Sequence, residues 1–476
     1  MLPAEADDKP WGQINDHLRV MGEFRARYEV WDFFRPPAVN HNNEYGFWGL
    51  RGRLGVLFDH EYLESFVQAE YSGLHGLPEK SVALPGGPLG LGGAYYGANH
   101  NSTSASDVHL KQAYVNLKLA PWGLPGGFAK VGRFDIQDGM EYKTGDAKFD
   151  GLKASRASQR LIGPFDFAHA TRSFDGFNLV YDQPAVNVNL SGSHPTQGGF
   201  DIHGQDEISH ISLFYAAITG KRGAVLPGTE SRLFYIYYGD DRNTQVVDNR
   251  PTAQQPLLSR RELKLHTVGT HVLTLQKLGD GELDGLLWGA YQFGDWTNLD
   301  HQAGAFDVEG GYQFSQLALK PWIRGGYYLG TGDGDPKDGR HNSFFQILPT
   351  VRPFAKFPFF NMMNIRDAFA QFIVTPTPST RLVTDFHHLS LEDSADLFYA
   401  GSGASSRSGA FGYVGRPSNG RSTIGELIDI SFTHTLTKEL AWSAYYGHVF
   451  GGNYINTLYT DKKYADFAYV ELNLNF

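Results

Sequence analysis

In the last ten residues, FAYVELNLNF, the apolar Ala468, Val470, Leu472, Leu474 and Phe476 alternate with Tyr469, Glu471, Asn473 and Asn475. A period of two places unlike residues on the two faces of a β-strand. The same alternation recurs upstream. In HLRVMGEFRARYEV, Leu18, Val20, Gly22, Phe24, Ala26, Tyr28 and Val30 form one face; in WGLRGRLGVLF it is Trp48, Leu50, Gly52, Leu54, Val56 and Phe58; in KQAYVNLKL it is Ala113, Val115, Leu117 and Leu119. Runs of like texture predict strands near 17–30, 46–58, 61–73, 108–119, 127–136, 173–182, 185–195, 207–219, 229–239, 263–277, 282–296, 303–316, 319–331, 365–374, 380–392, 423–435, 440–451 and 464–476. No amphipathic helical period stands out.

The connections alternate, broadly, between tight and long. DQP after Tyr181, GDG at 279–281, TPTPS at 375–379 and TKE at 437–439 are tight; 74–107, 137–172, 240–262, 332–364 and 393–422 are long. That rhythm predicts an all-β fold: a transmembrane antiparallel β-barrel of about 18 strands, with short periplasmic turns and long extracellular loops. Runs of this length let a tilted strand cross the hydrocarbon layer. Lipid offers no hydrogen bonds, so the sheet must close and the last strand must pair with the first. A soluble propeller would show a blade repeat, and none is seen. The aromatic last residue resembles the C-terminal signal by which the barrel-assembly machinery recognises its clients.

Composition narrows the setting. The chain has 476 residues, 14% aromatic, 56 glycines and no cysteine, with a mean hydropathy of −0.34. So many aromatics in so polar a chain argue against disorder. No apolar run of about 18 residues is present, which excludes a transmembrane helix, and the lack of cysteine excludes disulfides and thiolate metal sites. A net charge of −10 with dispersed basic residues excludes a nucleic-acid footprint. MLPAEADDKPWGQ has no charged n-region followed by an apolar h-region. The expectation is a periplasmic segment over 1–16, a barrel over 17–476, and residence in the outer membrane of a Gram-negative bacterium after removal of a signal peptide.

Several segments resemble the alginate-export family of outer-membrane barrels: VGRFDIQDGMEYKTGDAKFDG…QRLIGPFDFAHATRSFDGFNLVY over 131–181, GAYQFGDW at 289–296, YYLGTGDGDPKDGRHNSFFQILP at 327–349, NIRDAF at 364–369, DFHHLSLEDSADLFY at 385–399 and IGELIDISFTHTLTKELAWSAYYGHVFGG at 424–452. The resemblance runs from about 110 to the end. It implies an 18-stranded barrel; in the namesake exporter an electropositive pore passes a uronic-acid polymer. For this chain it implies a passive channel for anionic saccharides or other small anions.

Positions out of phase with the apolar face point into the bore. These are Arg19, Arg25, Arg27, Arg51, Arg53, Arg133, Arg232 and Arg324, with Glu23, Glu29, Glu64, Glu70, Asp135, Asp385 and Glu471. Such charges can form rungs that grip carboxylates or phosphates, or pair across strands and simply fill a wet interior. The connection 137–172, with Lys143, Lys148, Lys153, Arg156, Arg160 and Arg172 among Asp146 and Asp150, is far longer than a hairpin needs. It is expected to fold inward, with Arg156, Arg160 and Arg172 near the constriction; the alternative is a solvated surface loop.

Other chemistry is sparse. Asp333, Asp335 and Asp338 in TGDGDPKDG form a weak calcium candidate, but an EF-hand needs an acid where Phe344 stands. His387 and His388 are adjacent on a strand and face opposite sides. No G-x-S-x-G, Walker or dinucleotide motif occurs, and Ser193 and His194 also point apart. The chain is expected to be no enzyme and to use no cofactor. Its expected partners are outer-membrane lipid, the assembly machinery, a small or polymeric solute and a possible periplasmic protein. A barrel serving mainly as a scaffold for a periplasmic or surface partner is the second function class.

Overall fold

The computed structural model describes residues 12–37, 40–83, 87–251, 262–350, 356–401, 403 and 411–476; most of the expected N-terminal segment, residues 1–11, lies outside them. Eighteen strands form one antiparallel sheet: β1 (Leu18–Asp32), β2 (Glu44–Asp59), β3 (Leu63–His75), β4 (Ser104–Lys118), β5 (Gly127–Phe134), β6 (Phe174–Asp182), β7 (Val186–Pro195), β8 (Ile211–Gly220), β9 (Thr229–Asp240), β10 (Leu263–Leu278), β11 (Gly281–Trp296), β12 (Leu299–Gln313), β13 (Trp322–Gly330), β14 (Ile365–Thr377), β15 (Thr380–Ser390), β16 (Thr423–Thr435), β17 (Leu440–Gly451) and β18 (Tyr464–Asn475). Each pairs with its sequence neighbour. β18 also pairs with β1, from Glu23↔Asn475 to Asp32↔Asp466, and so closes the cylinder.

The alternation that predicted the strands now has its cause. Phe24, Tyr28, Val30, Val56, Val67 and Val470 stand exposed on the outer wall, where lipid replaces water, while Arg25, Arg27, Arg51 and Glu70 are buried inside. At the short-turn end Tyr62 lies 5.8 Å from Trp122, and Phe58 stacks near His60. These are amphipathic rings of the kind that girdle a barrel at the membrane surface.

Two features differ from the sequence expectation. β11 turns into β12 through Thr297 and Asn298 alone, a tight hairpin at the long-loop end, with Thr297 in the left-handed region (φ 59). The long connections also carry short helices: α1 (Leu91–Ala98), α2 (Ala147–Leu152) and α3 (Ile455–Leu458). Inside the barrel, residues 135–173 meet the connection 331–364. Leu348 donates its amide to the Leu161 carbonyl (2.7 Å), Gly163 to the Leu348 carbonyl (2.8 Å) and Thr350 to the Gln159 carbonyl (3.1 Å). The buried apolar core, including Phe149, Leu161, Ile162, Phe165, Phe345 and Leu348, is therefore built within the bore.

Candidate pore constriction

The segment between β5 and β6 starts beside Asp138, whose carboxylate accepts the amides of Leu161 (2.9 Å) and Ile162 (2.7 Å). Asp146 caps α2 by accepting from the Lys148 and Phe149 amides at 3.0 and 3.1 Å, as a helix N-terminus requires. A π-helical turn, Lys153–Ala157, follows. It brings Lys153 to Glu230 on β9 (3.0 Å), Arg156 to Glu309 on β12 (2.8 Å) and Arg160 to Asp307 on β12 (2.5 Å). Arg324 of β13 shares Glu309 at 2.9 Å and holds Asp284 at 2.9 Å.

The second half of the segment reaches the other side. Arg25 donates to the carbonyls of Asp166 (2.8 Å) and Ala168 (2.5 Å), Arg27 to that of Phe167 (3.0 Å) and Arg51 to that of Asp166 (3.1 Å). Arg53 donates to Asp166 Oδ1 and to Thr171 Oγ1, each at 3.0 Å. Glu70 accepts from the Thr171 amide (3.1 Å) and hydroxyl (2.8 Å). The strands β2 and β11 are nine apart in a ring of eighteen, so a strap fixed to β9–β13 and to β1–β3 crosses the bore.

Electrostatics follow from that placement. Burial alone would raise Asp166, but Arg51 and Arg53 outweigh it and hold the carboxyl at about 2. His169, buried against Glu29 at 3.2 Å, is pushed down to about 4, because desolvation penalises the imidazolium more than its carboxylate neighbour favours it. Arg172 is pushed down to about 10 by burial. Its Nη1 donates to the carbonyls of Gly163 (3.1 Å) and Leu348 (2.9 Å). Its Nε and Nη2 are buried with no hydrogen-bond partner.

The structure redistributes the expected site residues. Arg25, Arg27, Arg51 and Arg53 grip the strap and also Glu23, Glu70 and Glu471. Arg133 forms a two-pronged pair with Asp175 at 2.7 and 2.6 Å, Arg232 pairs with Glu141 at 2.8 Å, and Asp135 takes Lys111 at 2.6 Å. Glu64 accepts from the Tyr114 hydroxyl at 3.1 Å. Arg19 keeps the inward phase but stands exposed near the short-turn end. Arg156, Arg160 and Arg172, expected to line a constriction, are buried; the first two are pins between strap and wall, not open solute-facing groups. The structure also places the weak calcium candidate. Asp333 is buried, and Asp335 and Asp338 are exposed and accept the amides of Lys337 and Arg340 in their own turns; among the described residues the three do not bring one ligand atom each within 4.8 Å of one another.

Asp307, Glu309, Asp166 and His169 were not singled out in the sequence. The first two share the inward phase, opposite Phe306 and Val308, and that signal could have found them. A larger omission is the vestibule above the strap, a cavity of about 390 Å³ at the long-loop end. Its walls carry Phe33, Phe34, Leu91, Phe200, Phe359, Phe398 and Tyr459, and Phe165 and Phe167 belong to the strap itself. No local motif marks it, because its rings come from separate connections. A second cavity, about 270 Å³, lies on the short-turn side of the strap against β14–β16.

A family model described as alginate export matches residues 66–468. Among solved structures, Acinetobacter baumannii OccAB4 is similar at 11% identity over 98% of this chain and 100% of its own, with a TM-score of 0.57. Pseudomonas aeruginosa OccK9 (OpdG) is similar at 10% identity over 96% and 98%, with a TM-score of 0.58. The Pseudomonas aeruginosa outer membrane protein OpdK is similar at 10% identity over 96% and 98%, with a TM-score of 0.54. Identities this low establish a shared fold. Comparison with curated protein sequences found no match.

Proposed function

The chain belongs to the alginate export family, and from that premise we propose that this passive outer-membrane channel selects small anionic solutes with a ring-shaped apolar face, uronic sugars among them. The observation that carries the proposal is the vestibule and what lies beneath it. A cavity of about 390 Å³ has the size of a site for one small molecule, too short for a polymer to thread in extended form. Aromatic walls favour the flat faces of sugar or aromatic rings.

Behind the vestibule lining, the fully buried Arg172 guanidinium lies 5.6 Å from the Phe165 ring, and among the described residues no carboxylate is within ion-pair distance of it. A buried cation that lacks a counter-ion attracts an anion strongly, because little water screens it. Arg156 and Arg160 are spent on Glu309 and Asp307 and contribute less. Flux follows the solute gradient, so no chemical step is required of the protein.

Planar-bilayer recordings in asymmetric KCl test this. The wild type should give ohmic steps with anion preference, and millimolar glucuronate should block them. Arg172→Gln should move the reversal potential towards that of an unselective pore, and Arg172→Lys should keep it near wild type. A silent wild type would favour a scaffold barrel. Unchanged reversal potentials in Arg172→Gln would overturn the role of Arg172.

A further inference from the structure

On the short-turn side of the strap, three side chains that no comparison assigns converge on the inner wall. Asp385 and His387 are two apart on β15 and share its inward face, while Phe386 and His388 point out. Asp429 stands directly opposite Asp385 on β16. One ligand atom from each of Asp385, His387 and Asp429 lies within 4.8 Å of the others. Bonds of about 2.1 Å to one ion can draw such a group together. From this cluster we propose that the barrel wall holds a divalent transition-metal ion, of the Zn²⁺ or Mn²⁺ kind, on Asp385, His387 and Asp429.

Three observations support it. Nδ1 of His387 lies 2.9 Å from Asp367 Oδ2 and 3.0 Å from Oδ1. An ionised carboxylate only accepts, so Nδ1 carries a proton and Nε2 is the nitrogen left to bind a metal, which displaces any proton held there. A carboxylate that orients a ligating imidazole in this way is the usual outer partner of metal-bound histidine. Next, Nε2 of His387 and Oδ1 of Asp385 are both buried and accept or donate no hydrogen bond; His387 is fully buried and Asp385 is 6% exposed. A cation between them would satisfy both. Finally, carboxylates placed face to face across neighbouring strands repel, and a divalent ion removes that repulsion.

The surroundings leave room for the ion. Tyr445 donates its hydroxyl to Asp429 Oδ2 at 3.3 Å, which orients the second carboxylate. Asp385 and Asp429 open onto the cavity of about 270 Å³. Arg156 lines the same cavity, but Glu309 holds its guanidinium at 2.8 Å. One imidazole and two carboxylates suit Zn²⁺ and Mn²⁺ better than Ca²⁺, which prefers six to eight oxygens. The open side would leave positions for water.

The competing occupant is a proton shared between the two carboxylates, and metal titration separates the two. The full-length barrel in detergent, stripped with a chelator and then freed of it, is titrated with Co²⁺ and back-titrated with Zn²⁺. One Co²⁺ per chain with visible absorption, displaced by one Zn²⁺, is expected. His387→Gln and Asp429→Asn should each lower the affinity at least tenfold. Asp367→Asn, a positioning variant that leaves all three ligands in place, should lower it by about 10–100-fold. Heat-dependent gel migration verifies that each variant is folded. No stoichiometric binding by the wild type would overturn the proposal. So would binding of equal strength in folded His387→Gln, which would belong to other histidines. Neither result bears on anion selectivity, which rests on Arg172.

Discussion

His169 occupies a space that only one neighbour could leave open. A Cβ on Gly49 of β2 would overlap the His169 imidazole, so the strap seats against bare backbone. The seat is acid-sensitive, and the direction follows from the pKa. A histidine near 6.5 when released and about 4 when seated takes up a proton only on release. Seating is therefore fully favourable above pH 6.5, weakens as pH falls from 6.5 to about 4, and loses on the order of 3 kcal/mol over that window. Asp166, depressed to about 2, acts in a different range. Its stabilisation is fully present above its unfolded value near 3.8 and is lost as pH falls from there through about 2. Conductance measured from pH 7 to 4.5 should therefore rise or flicker, and His169→Gln should flatten that response. A pH-independent wild-type conductance would exclude the seat as the acid-sensitive element.

The closing strand answers why the chain ends on regular alternation. Phe476 donates its amide to the Gly22 carbonyl at 3.0 Å and accepts from the Gly22 amide at 2.9 Å, and ten residue pairs follow between β18 and β1. A Cβ on Gly22 would overlap the Phe476 ring, so the terminal aromatic lies over a glycine on its neighbour. Removing residues 464–476 would strip the paired edges from both β1 and β17. Each unsatisfied peptide group in lipid costs several kcal/mol, far beyond the stability of an ordinary domain. The truncated chain should fail to form a heat-modifiable barrel, read by gel migration and by loss of strand signal in circular dichroism; a normally migrating barrel would refute the account of closure.

The whole barrel separates a wall that needs no plug from a plug that needs the wall. The eighteen pairings that close the cylinder are made between wall strands, whereas the strap owes its position to Arg25, Arg27, Arg51, Arg53, Glu230, Asp307 and Glu309 on that wall. Replacing 137–172 by a short turn should leave the strand content unchanged and raise single-channel conductance several-fold. Equal conductance in the deleted and native barrels would mean that the ion path does not run past the strap.

Much of the wall was legible from residue order, because a strand between lipid and water writes a period of two into the chain and a closed barrel writes tight and long connections in turn. All eighteen strands, and the inward phase of Arg25, Arg53, Glu70 and Asp385, follow from that local rule. The rule says nothing about which inward charge meets which. Arg156 finds Glu309 153 residues away, and Asp385 meets Asp429 only because β15 and β16 are neighbours in a fixed register. The vestibule is likewise written nowhere in the chain: its rings come from connections that meet only after closure. Local pattern determined the cylinder and its two faces; long-range pairing decided what fills the bore.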